Sequence, residues 1–380
     1  MKKRIVTAVL VAAALGAVAA APPQKAAARP AAAQAPAAAG VEAQLQTYAL
    51  RFLSWDPDSR ITVTKSAERL PGMQGYKVVR KGRYEKLNVD RTCYVSDDGK
   101  WFFEGDSVAN PAPKPIRSAA DLSWVGEKFS GLFRTKVTPQ LAPERDAPPY
   151  RGVNVAVETG YGPVRMPGYV SADGSRFLQG VFRDFRMDPR EERRRHIDLS
   201  LGRASGKPEA AVSIVEFADM ECGYCKMRGL QMDKLLEVNS GIANARRHYK
   251  FFPLWFGHVW AMKAASAGDC IFRSAGAPAF FRFKEQVYAR QESMTVSGID
   301  EIAVTSAGAE GISSADFLAC YLQEASFSRV RHEIEEGYRL GVNSTPTYFI
   351  DGTEITWLED KVMEDFLRTL APKLKSIFGK

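Results

Sequence analysis

Apolar and polar positions follow two different periods along this chain. From residue 41 to about 187 the dominant pattern is alternation, the period-two signature of half-buried strands. Tyr94-Val95-Ser96-Asp97-Asp98-Gly99 is echoed by Tyr169-Val170-Ser171-Ala172-Asp173-Gly174, an offset of 75. The same offset relates Val78 to Val153, Phe102 to Phe177 and Gly105 to Gly180. Each copy predicts a strand, an Asp-Gly turn and a second strand, with the glycine supplying the positive φ of a tight hairpin. The repetition predicts two tandem, small, β-rich α+β modules, 41–110 and 111–187.

Residues 188–208 carry charges in place of the alternation and end in Gly206-Lys207-Pro208, so they predict a connector helix and a break. Arg190 to His196 is basic but contains Glu191 and Glu192, the composition of a solvated helix. Beyond it, 209–380 reads as a third unit. Val212 to Phe217 is a near-continuous apolar run, as expected of a buried strand. Cys222 to Leu236 has helical spacing, and Arg247 to Phe252 is a second strand ended by Pro253. Several helices follow over 258–340. Thr345 to Ile350 and Glu354 to Trp357 form a hairpin about Asp351-Gly352, and Lys361 to Ile377 is an amphipathic closing helix.

The amino terminus adds a compartment. Lys2, Lys3 and Arg4 precede the apolar run Ile5 to Leu15, and Ala17-Val18-Ala19 fits a small-x-small cleavage site, so 1–19 reads as a cleaved signal peptide. Residues 20–40, almost all Ala, Pro and Gln, read as a disordered tether. Removing 1–19 lowers the net charge from +8 to +5, a mild excess that gives no nucleic-acid footprint. Export also changes the reading of the five cysteines, because disulfides persist outside the cytoplasm.

Cys222-Gly223-Tyr224-Cys225 opens the first helix of the third unit. Disulfide exchange needs a thiolate with a second thiol in reach, and this spacing supplies both. Cys222 faces the helix N-terminus, where free N–H groups favour negative charge, and attacks. Cys225, about one turn in and more buried, resolves the mixed disulfide. Asp219 and Glu221 oppose the thiolate, whereas Lys226 and Arg228 favour it. A structural zinc site would need two further ligands at knuckle spacing, which Cys270 and Cys320 do not supply, and no metal or cofactor is expected. Cys270 and Cys320 fall in the helical stretch and read as a structural disulfide closing a loop of about 50 residues. Cys93 reads as a buried, inert thiol. The four histidines form no metal-ligating cluster.

Phe217 to Met227, with its Cys-Gly-Tyr-Cys, resembles the periplasmic Dsb family of disulfide oxidases and isomerases. Thr345-Pro346-Thr347 is similar to that family's cis-proline loop. The resemblance implies a thioredoxin-like domain with a helical insertion over 209–380. It also implies a cis Thr345–Pro346 bond that, with Gly223 and Tyr224, meets the substrate peptide. Glu216, six residues before Cys222, matches the buried acid that in the oxidase branch carries the proton of the resolving thiol, and strand alternation sets it beneath the cysteine pair. Pro167 to Asp184 resembles the amino-terminal module of the isomerases, which joins two subunits. A homodimer is then implied, unless two modules in one chain pair with each other.

Three functions follow. Cys-Gly-Tyr-Cys, Thr345 and the front module favour an isomerase or reductase acting on misoxidised exported proteins in the periplasm. Glu216, the helical insertion and Phe252-Pro253-Leu254 favour an oxidase served by a membrane redox partner. The third is a peptide-binding chaperone that needs neither cysteine.

Overall fold

The alternating stretches of both repeats become strands of one continuous sheet. The computed structural model describes residues 40–369, apart from 57, 211, 239–244, 357–360 and 367. The expected signal peptide, nearly all of the tether, Trp357 and the end of the closing helix lie outside the described residues, while 361–366 is helical.

In the first repeat, α1 (Val41–Leu53) precedes β1 (Arg60–Leu70), β2 (Met73–Lys81), β3 (Val89–Ser96) and β4 (Trp101–Ala109). In the second, α2 (Ser123–Phe133) precedes β5 (Val137–Leu141), β6 (Tyr150–Val157), β7 (Val164–Ser171) and β8 (Arg176–Asp184). The strand order is β1-β2-β3-β4-β8-β7-β6-β5, so the two copies meet at β4 and β8. Gly105 lies opposite Gly180, Trp101 opposite Asp184 and Ala109 opposite Arg176. Under the offset of 75, Trp101 corresponds to Arg176 and Ala109 to Asp184, so the ladder is symmetric about a local twofold axis through the glycine pair.

Equivalent residues also do equivalent work. Val78 and Phe102 pack with Leu45 and Tyr48 of α1, while Val153 and Phe177 pack with Val125 and Phe129 of α2. The glycines at the axis are required by close approach. A Cβ on Gly105 would lie 2.2 Å from the Gln179 carbonyl oxygen, and one on Gly180 2.5 Å from that of Glu104.

The connector helix α3 (Pro189–His196) is capped by Asp188, whose side chain accepts from the Arg190 amide. The expectation of a solvated helix fails on one face, where Glu192 and Arg193 are buried. Arg193 bonds Glu354 at 2.7 Å and lies 4.5 Å over the Phe52 ring. A guanidinium can be buried here because it has both an anion and an aromatic face.

The rear half forms a five-stranded sheet of β9 (Ala204–Ser205), β10 (Ser213–Ala218), β11 (Arg246–Phe251), β12 (Thr347–Ile350) and β13 (Thr353–Thr356), in the order β13-β12-β10-β11-β9. The apolar run at 212–217 is thus the central strand, parallel to β11 and antiparallel to β12. Helix α4 (Gly223–Val238) joins β10 to β11. Between β11 and β12 lie α5 (Ala261–Ala289), broken at Gly276, then α6 (Val296–Ala309), α7 (Ser314–Tyr321) and α8 (Glu324–Leu340). A disulfide joins Cys270 of α5 to Cys320 of α7, with Cα atoms 5.9 Å apart. Cys93 is buried in the first module and free; burial pushes its thiol up to about 12, so it stays protonated.

Helix α8 packs on β7, docking the rear half against the front sheet. Tyr161 stacks on Phe327 at 4.8 Å, Phe133 meets Trp255 at 5.5 Å, and Arg183 donates to the Leu340 carbonyl at 2.7 Å.

Gly105→Val is expected to force the β4–β8 seam apart and to destabilise the chain by about 2 kcal/mol or more. Urea unfolding of the variant beside wild type checks this; an unchanged midpoint would contradict the seam geometry.

Candidate active site

Central strand β10 ends at Ala218, and the chain turns through Asp219-Met220-Glu221 into α4. Asp219 builds this turn. Its Oδ1 accepts from the Glu221 amide at 2.7 Å, and its Oδ2 accepts from the Leu254 amide at 2.7 Å on the neighbouring β11–α5 loop. Glu221 returns the tie by accepting from the amides of Val259 and Trp260. Gln291 donates to the carbonyls of Met220 and Cys222. The loop that opens α4 is therefore clamped from three directions before any chemistry is considered.

Cys222 sits just before the first residue of α4, and its carbonyl accepts from the amides of Cys225 and Lys226. Its thiol is lowered from 9.0 to about 6. The leading cause is a hydrogen bond from the Cys225 thiol; burial opposes it, and the Thr345 side chain and the Cys225 amide help. Asp219 works against the thiolate, as its charge and position predict. Lys226 and Arg228 are turned to other partners, Glu292 at 3.9 Å and Gln231 at 2.8 Å. The thiol is also less open than exchange chemistry suggests, at 7% exposure, with Sγ 3.5 Å from the Thr345 carbonyl oxygen.

Cys225 is the opposite case. It has 0% exposure, and its thiol stands well above the ordinary range through burial and through donation to Cys222. The Asp219 amide donates to its Sγ at 3.4 Å. One sulfur is a thiolate at neutral pH and the other a proton-bearing thiol, held within one helical turn.

The Thr345–Pro346 bond is cis. Gly223 opens α4, and Tyr224 projects outward at 65% exposure. Met227, Leu230, Phe256 and Val259 are exposed apolar side chains on the same helix or on the loop that Asp219 and Glu221 hold.

Glu216 lies on the central strand with 1% exposure. Its carboxylate accepts from Arg247 Nη2 at 2.6 Å, Arg247 Nε at 3.1 Å and the Tyr348 hydroxyl at 3.0 Å. The acid expected beneath the cysteines is thus engaged in a buried ion pair. In the sequence His258 belongs to no ligand cluster, and Asp219 reads only as a charge that opposes the thiolate. His258 Nδ1 lies 2.6 Å from Asp219 Oδ2, although 39 residues separate them. No spacing motif marks such a pair, since two different loops bring it together. Among the described residues, no group of His, Cys, Asp and Glu is arranged to hold a metal ion.

Residues 200–370 match the family model described as Thioredoxin. This part of the chain has a thioredoxin-like fold. The chain is 27% identical over 161 residues to the Na+/H+ antiporter NhaA 1 of Mycobacterium sp. (strain KMS), covering 42% of this chain and 25% of the antiporter. A 26% match over 166 residues links it to NhaA 1 of Mycolicibacterium gilvum. The chain therefore spans about a quarter of the length of the curated relatives it matches. No helix among the described residues is long and apolar enough to cross a membrane.

Solved structures with a similar fold include the thiol-disulfide exchange protein α-DsbA2 of Wolbachia pipientis (18% identity, 49% of this chain and 94% of that one, TM-score 0.40). BdbD of Bacillus subtilis aligns at 19% identity over 47% of this chain and 94% of that one, with TM-score 0.40. The catalytic domain of Proteus mirabilis ScsC aligns at 17% over 48% of this chain and 96% of its own, also with TM-score 0.40.

In reduced protein, alkylation of Cys222 by iodoacetamide is expected to lose half its rate near pH 6, where an ordinary thiol would already do so near 9. Over the same window the unfolded chain binds more protons than the folded one. The reduced fold therefore gains stability as pH rises from about 6 to 9, and loses it on acidification through 6. Thiolate absorbance near 240 nm reads the midpoint directly.

Proposed function

We propose that this chain is an exported thiol–disulfide exchange protein acting on protein disulfides, with isomerisation or reduction as its net direction. The observation that carries the reading is the division of labour between the two cysteines. Cys222 has its thiol lowered to about 6, so it is a thiolate at neutral pH, and Cys225 is a buried thiol within one helical turn of it.

The steps follow from that geometry. The Cys222 thiolate attacks one sulfur of a wrong disulfide in the substrate. A bond forms between Cys222 and that sulfur, the substrate S–S bond breaks, and the second substrate sulfur leaves as a thiolate. That thiolate then attacks a different substrate disulfide, and the thiolate this releases attacks the mixed disulfide and frees Cys222; alternatively Cys225 loses its proton, attacks the Cys222 sulfur and releases the substrate reduced. Cys225 begins protonated, so it does not expel the substrate at once, which gives rearrangement time. Exposed Tyr224, Met227, Leu230, Phe256 and Val259 offer apolar contact to unfolded chains. In this reading Glu216, fixed by Arg247 and Tyr348, is the acid that the family resemblance assigns to the proton of Cys225.

Pairing of the two front modules at β4 and β8 within one chain supports a self-contained platform carrying one catalytic domain. The natural substrates are then unfolded or misoxidised exported proteins. A membrane dithiol protein, which keeps the pair reduced, is the redox partner. One observation favours the oxidase reading: the lowered Cys222 thiol stabilises the reduced pair, which makes its disulfide a good oxidant.

Refolding of a scrambled multi-disulfide substrate separates the readings. Wild type is expected to restore activity to the substrate, and Cys222→Ala to lose at least tenfold in rate. Equal rates would remove the enzymatic reading in favour of a chaperone. A pair found mostly oxidised in the cell would replace isomerase by oxidase.

A further inference from the structure

Three anionic groups crowd the corner where α4 begins. The Asp219 carboxylate is buried with no side-chain exposure, Glu221 sits two residues on, and Cys222 adds a third negative charge when it ionises. Asp219 and Glu221 are needed there structurally, since they tie the β10–α4 turn to the β11–α5 loop. A buried carboxylate beside a thiolate is electrostatically unfavourable unless a cation answers it. The group that reaches this carboxylate is His258, whose Nδ1 is 2.6 Å from Oδ2 and whose ring keeps 26% side-chain exposure to solvent. Asp219 meanwhile touches the redox pair through its amide, 3.4 Å from Cys225 Sγ.

We propose that His258, carried as an imidazolium on the buried carboxylate of Asp219, is the positioning residue that balances the Cys222 thiolate and takes up a proton when the Cys222–Cys225 disulfide is reduced. The inference rests on thiol–disulfide exchange at this pair.

The charged groups facing the imidazole are Asp219 and Glu221 on the β10–α4 turn and Cys222 at the start of α4, and all three favour its protonated form. The bond to Asp219 contributes most, and partial burial opposes it. In the disulfide form the Cys222 charge is gone and one of these attractions is lost. Reduction by a dithiol then balances as follows. Two electrons enter and the Cys222–Cys225 bond breaks. Cys222 becomes a thiolate and Cys225 takes one proton. A second proton binds His258 at any pH where the imidazole is neutral beside the disulfide but charged beside the thiolate. The pair is thereby coupled to pH through a residue outside the Cys-x-x-Cys motif. His258 acts on the reacting sulfur only through charge and through Asp219.

The reading also explains why Asp219 does not abolish the thiolate it opposes. Its charge is shared with the imidazolium, so below the titration of His258 Cys222 feels a neutralised pair. Above the titration of His258 the bare carboxylate is exposed to the sulfur.

Nuclear magnetic resonance titration of the His258 ring in wild-type full-length protein tests this without a variant. The midpoint is expected to be higher by about half a unit or more in the dithiothreitol-reduced form than in the disulfide form. Equal midpoints would overturn the proposal. His258→Gln keeps a hydrogen-bond donor for Asp219 but not the charge. It is expected to raise the Cys222 midpoint by about one unit, tenfold less thiolate at a fixed pH below it. Asp219→Asn in the same background is expected to bring the midpoint back toward wild type. An unchanged Cys222 midpoint in folded His258→Gln would also overturn the proposal. If wild type forms no mixed disulfide with a protein substrate, the exchange reading fails instead, and the redox dependence of the His258 titration is still read independently.

Discussion

The placement of the Cys225 thiol beside the Cys222 sulfur within one helical turn is the constraint on which the site depends. It moves the two thiols in opposite directions, Cys222 down to about 6 and Cys225 well above the ordinary range. Such a placement needs Cys225 in the first turn of α4 and buried, and Cys222 at the helix start. The rest of the loop serves that placement. Asp219, Glu221 and Gln291 fix the entry of the chain into α4, and the central position of β10 fixes where that entry lies.

The front half solves a different problem with the same economy of parts. A four-stranded module leaves an edge, and an exposed edge invites pairing with another chain. Here the two copies cover each other's edge at β4 and β8, and the glycines at 105 and 180 let the backbones meet at the axis. The rear half then docks through α8 on β7 and through α3, whose buried Arg193 links Phe52 of the front half to Glu354 of the rear hairpin.

Much of this was legible in the residues because local physics and fold agreed. Alternation, the Asp-Gly turns and the offset of 75 pointed to paired β modules, and the apolar run at 212–217 to a central strand. Cys222, Cys225 and Thr345-Pro346 stood out because their chemistry is tied to short, fixed spacing. What stayed hidden depends on contacts between distant segments. Arg193 looked solvated because nothing local announces Glu354 or the Phe52 ring. Asp219 looked merely repulsive, and His258 looked idle, because 39 residues separate them and only the adjacency of two loops brings them to 2.6 Å. Glu216 read as an acid beneath the cysteines, whereas its partners, Arg247 and Tyr348, lie on the two flanking strands.

The central claim is that Cys222 attacks and Cys225 resolves. It is tested most directly by trapping. Cys225→Ala, incubated with a scrambled disulfide substrate, is expected to accumulate a covalent adduct that mass spectrometry locates on Cys222, and Cys222→Ala is expected to accumulate none. An adduct carried by Cys225 in the Cys222→Ala protein, or by Cys93 in either, would contradict the account.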